Sequence, residues 1–268
     1  MTLHLQVHGD GGDPLVVLPS SGFDHTAMAA AIEPAFAEVS GWRRLYVDLP
    51  GTGDSPAHCP PRSEAVLDAV VATVQTELRY RPFAVLGWSY GGYLAAGVTR
   101  RLPDLVGGLM LVCTGFKIRP QDRDLSGVLA SNPQLGWLDH VPSHLRGHFT
   151  HAVGLQTGEV ANRIVAALDV NEPSDDVYLA SLRADGFALS DEDAATVCNA
   201  PVCFVAGKRD RVVGYASLFD ALGNYDYASY TCISSAGHYL PLEQPAVFAA
   251  ITRDWLEQCK AFLGLYDK

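Results

Sequence analysis

Ser89 stands in Gly87-Trp88-Ser89-Tyr90-Gly91, preceded by the apolar run Ala84-Val85-Leu86 and followed by the helical pattern Gly92-Tyr93-Leu94-Ala95-Ala96-Gly97-Val98. A serine in a tight strand-to-helix turn, with glycines that let the chains approach, exposes its hydroxyl beside the positive end of the helix. Ser89 is therefore a candidate nucleophile. A serine hydroxyl attacks poorly at neutral pH unless a general base lies within reach, and that base needs an acid to hold its tautomer. His238 ends Ala236-Gly237-His238, just after an apolar strand pattern, and Asp210 ends Gly207-Lys208-Arg209-Asp210 after another. The competing place for an acid, after the strand before, reads Cys113-Thr114-Gly115-Phe116 and holds none. Attack on a carbonyl also creates an oxyanion that needs backbone donors. The amides of Tyr90 and Ser21 are candidates, although Ser20 and Ser21 could instead use their hydroxyls or cap the next helix.

These residues require a scaffold of alternating strands and helices. Residues 3–7 read as an edge-like strand, and 15–18, 44–47, 84–87, 109–113, 201–206 and 227–233 read as further strands. Several are nearly continuous apolar runs, the mark of strands covered on both faces. Helical patterns fall at 26–39, where Pro34 bends or divides the run, at 63–78, at about 215–222, and at 246–263 with Val247, Phe248, Ile251, Trp255 and Leu256 as its apolar stripe. Between 116 and 199 the character changes to His, Asp, Asn and Arg, broken by prolines, with helical patterns at 159–168 and 175–182. The expected fold class is α/β: a mostly parallel sheet covered by helices on both faces. Residues 1–115 and 200–268 form its core, and 116–199 forms a mainly helical lid inserted before the strand that precedes the acid. In such sheets catalytic groups collect beyond the carboxyl ends of the strands, where Ser21, Ser89, Asp210 and His238 all fall.

With its loop Asp48-Leu49-Pro50-Gly51-Thr52-Gly53-Asp54-Ser55 and with Asp210-Arg211-Val212-Val213-Gly214, the chain resembles the α/β-hydrolase superfamily of the lidded serine-hydrolase type, over essentially its whole length. The resemblance implies that Ser89, Asp210 and His238 are nucleophile, acid and base, that Asp48 to Ser55 is a structural loop near the pocket, and that no cofactor is needed. It implies cleavage of an ester, thioester, lactone or amide of a small acyl substrate through an acyl-enzyme. The same triad also permits acyl transfer, cyclisation or lyase chemistry, and the fold alone permits a non-catalytic binding protein. The chain departs from the family where Pro19-Ser20 replaces the common His-Gly, leaving an amide at Ser21 available. Ser20, Trp88, Trp137, Phe149 and Phe187 are candidates for the pocket wall.

Composition excludes other classes. The 268 residues are 48% hydrophobic, enough for a full core, and the formal charge of −11 comes with no basic block. Nucleic acid and anionic membranes both require such a block. No apolar segment approaches the ~18 residues of a membrane span. The N-terminus lacks a secretory pattern, and six scattered cysteines form no C-x-x-C pair. A cytoplasmic protein, monomeric or homodimeric, is expected. No dinucleotide motif or P-loop occurs in the required context. His140, His144, His148 and His151 recur at near-helical spacing but lack a ligand set, with Pro142 interrupting the register, so they read as a polar face and no metal is expected.

Overall fold

The structure is a computed structural model and describes residues 2–9, 11–185 and 187–264. Seven strands form one sheet in it: β1 (Leu5–His8), β2 (Asp13–Leu18), β3 (Trp42–Val47), β4 (Phe83–Trp88), β5 (Val106–Val112), β6 (Val202–Gly207) and β7 (Ala228–Ile233). Their order is β1-β3-β2-β4-β5-β6-β7. Only β1 runs antiparallel, pairing with β3, and the other neighbours are parallel.

The apolar runs explain this arrangement. Successive residues of a strand point to opposite faces, so Leu15 and Val17 of β2 enter one core cluster while Val16 and Leu18 enter the other. Helices α1 (His25–Ile32) and α9 (Pro245–Leu263) cover the first face. Helices α2 (Ser63–Leu78) and α3 (Tyr90–Arg101) cover the second. Pro34 divides the 26–39 pattern as expected: α1 ends at Ile32 and a 3-10 turn spans Glu33–Phe36. The buried stripe of α9 is Phe248, Thr252, Trp255, Leu256, Cys259 and Leu263, whereas Val247 is exposed and Ile251 half-buried. The stripe therefore starts one residue later than the sequence pattern placed it.

Between β5 and β6 the described residues form a 3-10 turn (Pro120–Asp122), three α-helices and no strand: α4 (Ser143–Ala152), α5 (Gly158–Asp169) and α6 (Asp176–Asp185). Pro142 does not interrupt a helix here; it occupies the position before the first turn of α4, where a missing N–H costs nothing. Phe149, Val160 and Ile164 join the core on the α1 face, and Tyr178, Leu179 and Leu182 join the other. Among the described residues the segment thus contributes to both core clusters of the sheet rather than forming one of its own. After β6 the described residues add the short helices α7 (Ala216–Asp220) and α8 (Leu240–Glu243) and a 3-10 turn (Leu222–Asn224). No helix of the described residues is long and apolar enough to cross a membrane.

Candidate active site

Topology creates the crevice before any side chain is considered. β2 and β4 are parallel neighbours, with Leu18 opposite Gly87. The chain leaves β2 toward β3 on one side and leaves β4 toward β5 on the other, so a gap opens beyond their carboxyl ends. The 19–23 loop and Ser89 flank that gap, while Asp210 follows β6 and His238 follows β7.

Ser89 occupies φ 55°, ψ −118°, a conformation that costs a non-glycine residue roughly 1–3 kcal/mol and persists only when its surroundings enforce it. The enforcement is visible. A Cβ on Gly87 would lie 2.2 Å from Gly91 O, and a Cβ on Gly91 would lie 2.1 Å from Leu18 O. Only glycines allow α3 to start hard against the end of β2. The same contact brings the 19–23 loop beside Ser89.

The three polar side chains form one hydrogen-bonded line. His238 Nδ1 lies 2.8 Å from Asp210 Oδ2, and His238 Nε2 lies 2.9 Å from Ser89 Oγ. An ionised carboxylate can only accept, so Nδ1 carries the hydrogen and Nε2 is left to accept from the serine hydroxyl. Asp210 is completely buried, and its other oxygen accepts from Val212 N at 2.8 Å and Val213 N at 3.0 Å. The His238 backbone is held at both ends: its amide donates to Ala152 O at 2.8 Å, and its carbonyl accepts from Trp88 Nε1 at 2.9 Å.

Sequence reasoning missed a further member, Glu243. Its buried carboxylate accepts from Gly154 N and Leu155 N, at 2.9 and 2.7 Å, and from Gly237 N and Tyr239 N, at 3.0 and 3.1 Å. One side chain thereby ties the residues flanking His238 to the segment after α4. Burial pushes its pKa up to about 7, against the pull of the Leu155, Gly237 and Gly154 amides. The available signal was a carboxylate in the apolar stretch 239–243, since a buried charge requires partners.

The 19–23 loop is fixed by groups that the sequence did not announce. A turn closes from Phe23 N to Ser20 O at 3.0 Å, and Gly22 takes φ +83°. The left-handed freedom the loop needs is thus supplied at Gly22, downstream of Pro19-Ser20. Asp24, not Ser20 or Ser21, caps α1, accepting from Thr26 N and Ala27 N, each at 2.9 Å. Burial pushes the Asp24 carboxyl up, but bonds from Thr26, Ala27 and Glu172 hold it below its ordinary value. Asn171 Nδ2 donates to Gly22 O at 3.0 Å, which anchors the loop to the chain after α5. The Ser21 amide has no acceptor among the described residues. Tyr90 is the first residue of α3, where a helix offers its amide no internal partner.

A cavity of about 330 Å³ opens at Ser89 and His238. Ser20, Ser21, Tyr90 and Phe187 line it. Three expected wall residues do not. Trp88 is fully buried with its indole N–H on His238 O, Phe149 is fully buried, and Trp137 packs in the α1-side core. Strand and helix phase turns these rings inward, where their apolar area is best spent. Phe23, Ile118, Pro120, Val212, Val213 and Tyr239 supply the apolar wall instead.

The α4 histidines do not gather into a metal-ligating group among the described residues. His148 Nε2 lies 2.9 Å from the Tyr239 hydroxyl, and burial lowers its pKa, with the His238 and His151 charges adding to the effect. The described residues do bring His4, His25, Asp48 and Asp54 within 4.8 Å of one another. Asp48 is already committed there, accepting from His25 N at 2.6 Å, facing His25 Nδ1 at 2.9 Å, and accepting from Asp54 N at 3.0 Å. These bonds pin the start of α1 to the loop after β3. No position at the Ser89 cavity holds a ligand set for a cofactor metal among the described residues.

Fold and site meet in one class of protein. The profile of the alpha/beta hydrolase family matches residues 7–251, and the chain belongs to that family. Within it, the chain is 30% identical over 233 residues to a pimeloyl-[acyl-carrier protein] methyl ester esterase of Neisseria meningitidis serogroup A / serotype 4A (strain DSM 15465 / Z2491), covering 81% of this chain and 69% of that protein. It is 26% identical over 257 residues to the protein of the same name in Xylella fastidiosa (strain M23), covering 88% and 91%. Among solved structures, an alpha/beta superfamily hydrolase from Oenococcus oeni PSU-1 superposes with a TM-score of 0.86 at 21% identity, over 95% of each chain.

Proposed function

We propose that the protein is a carboxylic-ester hydrolase working through an acyl-enzyme on Ser89. The observation that carries this reading is the unbroken line from Ser89 Oγ through His238 to Asp210. Ser89 Oγ attacks the ester carbonyl carbon while His238 Nε2 takes its proton, and Asp210 stabilises the imidazolium that results. The oxyanion is received by the amides of Tyr90 and Ser21. His238 then returns the proton to the departing alkoxide, which leaves as the alcohol. Water, deprotonated by His238, attacks the acyl-enzyme, and the collapse of the second tetrahedral intermediate releases the acid and returns the proton to Ser89.

Residues 116–199 act as the lid over this site, since Ile118, Pro120, Arg123, His148, Arg183 and Phe187 from that segment wall the cavity. All parts of the site come from one chain, so a monomer suffices. The six free cysteines, four of them buried, fit a reducing compartment such as the cytoplasm. The relatives from Neisseria and Xylella are named for a methyl ester, which makes methyl esters the class to assay first. Turnover of p-nitrophenyl butyrate and methyl butyrate tests the reading. Ser89→Ala should lose roughly 10⁴-fold or more in kcat, and Asp210→Asn, which presents the wrong tautomer, about 10⁴-fold. Hydrolysis that survives in Ser89→Ala would contradict it.

A further inference from the structure

We infer that the substrate carries a second, anionic group, a carboxylate or a phosphate, which Arg123 and Arg183 bind inside the Ser89 cavity. This deepens the ester-hydrolase reading and rests on it. The chain has 30 acidic and 19 basic residues, yet the cavity wall contains two arginines and, among the described residues, no aspartate or glutamate. The sign of charge on the cavity wall is therefore opposite to that of the molecule.

Among the described residues neither arginine makes an ion pair with a carboxylate. Arg183, on α6, donates from Nη2 to Ser21 Oγ at 2.8 Å. It stands beside the loop that offers an amide to the oxyanion, and among the described residues the rest of its five N–H donors are uncommitted. Arg123 is half-buried and is held in place by backbone carbonyls: Nε and Nη2 both donate to Ile118 O, at 3.1 and 2.5 Å, and Nη1 to Val212 O at 2.8 Å, which leaves one N–H on each of Nη1 and Nη2 for a ligand. A guanidinium fixed by carbonyls and left without a counter-ion is a preorganised fork for a planar carboxylate or a phosphate. Burial lowers the Arg123 pKa, and the nearby Asp210 carboxylate offsets that only in part. An anionic substrate offsets the remainder. The cations also offset the repulsion between a substrate anion and the developing oxyanion.

The test compares three methyl esters of matched length: neutral methyl valerate, monomethyl glutarate and methyl 4-phosphonobutyrate. The expected result is a kcat/KM at least tenfold higher for one of the two anionic esters, expressed mainly in KM. The preferred anion tells carboxylate from phosphate. That preference should shrink about tenfold in Arg183→Gln, recover in part in Arg183→Lys, and weaken as salt rises. Calorimetric titration of glutarate and propylphosphonate into the Ser89→Ala protein reads anion binding without turnover, and Arg183→Gln added to that background should weaken it by a similar factor. Equal or better hydrolysis of methyl valerate, or binding unchanged by Arg183→Gln, overturns the anion site and leaves the hydrolase intact. Anion binding that depends on Arg183 with no ester turned over would instead overturn the hydrolase reading and keep the anion site.

Discussion

At the scale of single residues, the site depends on glycines as much as on its polar groups. Ser89 is held at φ 55° because Gly91 allows α3 to touch the backbone of Leu18 and Pro19. Gly91→Ala would place a methyl 2.1 Å from Leu18 O and 2.5 Å from Pro19 O, neither of which is a flexible side chain. The expected outcome is a loss of about 1–3 kcal/mol in a denaturant titration. A fall of at least tenfold in kcat should accompany it, because the loop carrying the Ser21 amide must retreat. Ser89, Asp210 and His238 were legible because each follows an apolar strand pattern in a short local motif. The cavity wall was not: Trp137 and Phe149 have the right chemistry, but which way a ring faces depends on helix phase and on neighbours distant in sequence. Arg123 and Arg183 carried no sequence signal beyond their charge.

Between elements, Glu243 acts as a lock. Its carboxylate bridges the turn holding His238 to the backbone after α4, using amides at Gly154, Leu155, Gly237 and Tyr239. Glu243→Gln keeps the shape but replaces one accepting oxygen with a donor that faces amides. Each unsatisfied buried donor costs about 1–3 kcal/mol. The melting temperature should therefore drop, and kcat should fall more than KM changes, because His238 loses its alignment while the cavity wall remains. His148 on α4 makes a different demand. Burial and the charges of His238 and His151 hold its pKa below the ordinary 6.5. Below that value the unfolded chain binds the proton more readily, so stability falls as pH drops from about 6.5 through the folded-state pKa. Thermal melts between pH 5 and 7.5 should show the wild type losing stability relative to His148→Gln on acidification, by about 1 kcal/mol or less. A gap that does not vary with pH would refute this. Long helices such as α2 and α9 were legible from periodicity, whereas α8, four residues long, has no period to read.

Across the whole molecule, the alternation of apolar runs with helical patterns identified the α/β class, and the family match agrees. Strand order was not readable, because it records which strand pairs with which rather than any local preference. The place of β3 between β1 and β2, with β1 antiparallel, emerges only in three dimensions. That order opens the crevice at β2 and β4, and the remaining strands deliver Asp210 and His238 to it. On the proposed reading this scaffold activates Ser89 as a nucleophile. Intact-protein mass spectrometry after exposure to a small fluorophosphonate tests it most directly, with Ser89→Ala and His238→Ala treated alongside. One adduct per wild-type chain is expected, with none on Ser89→Ala and much slower labelling of His238→Ala. A folded wild type that stays unlabelled, or an adduct that persists on Ser89→Ala, would contradict it.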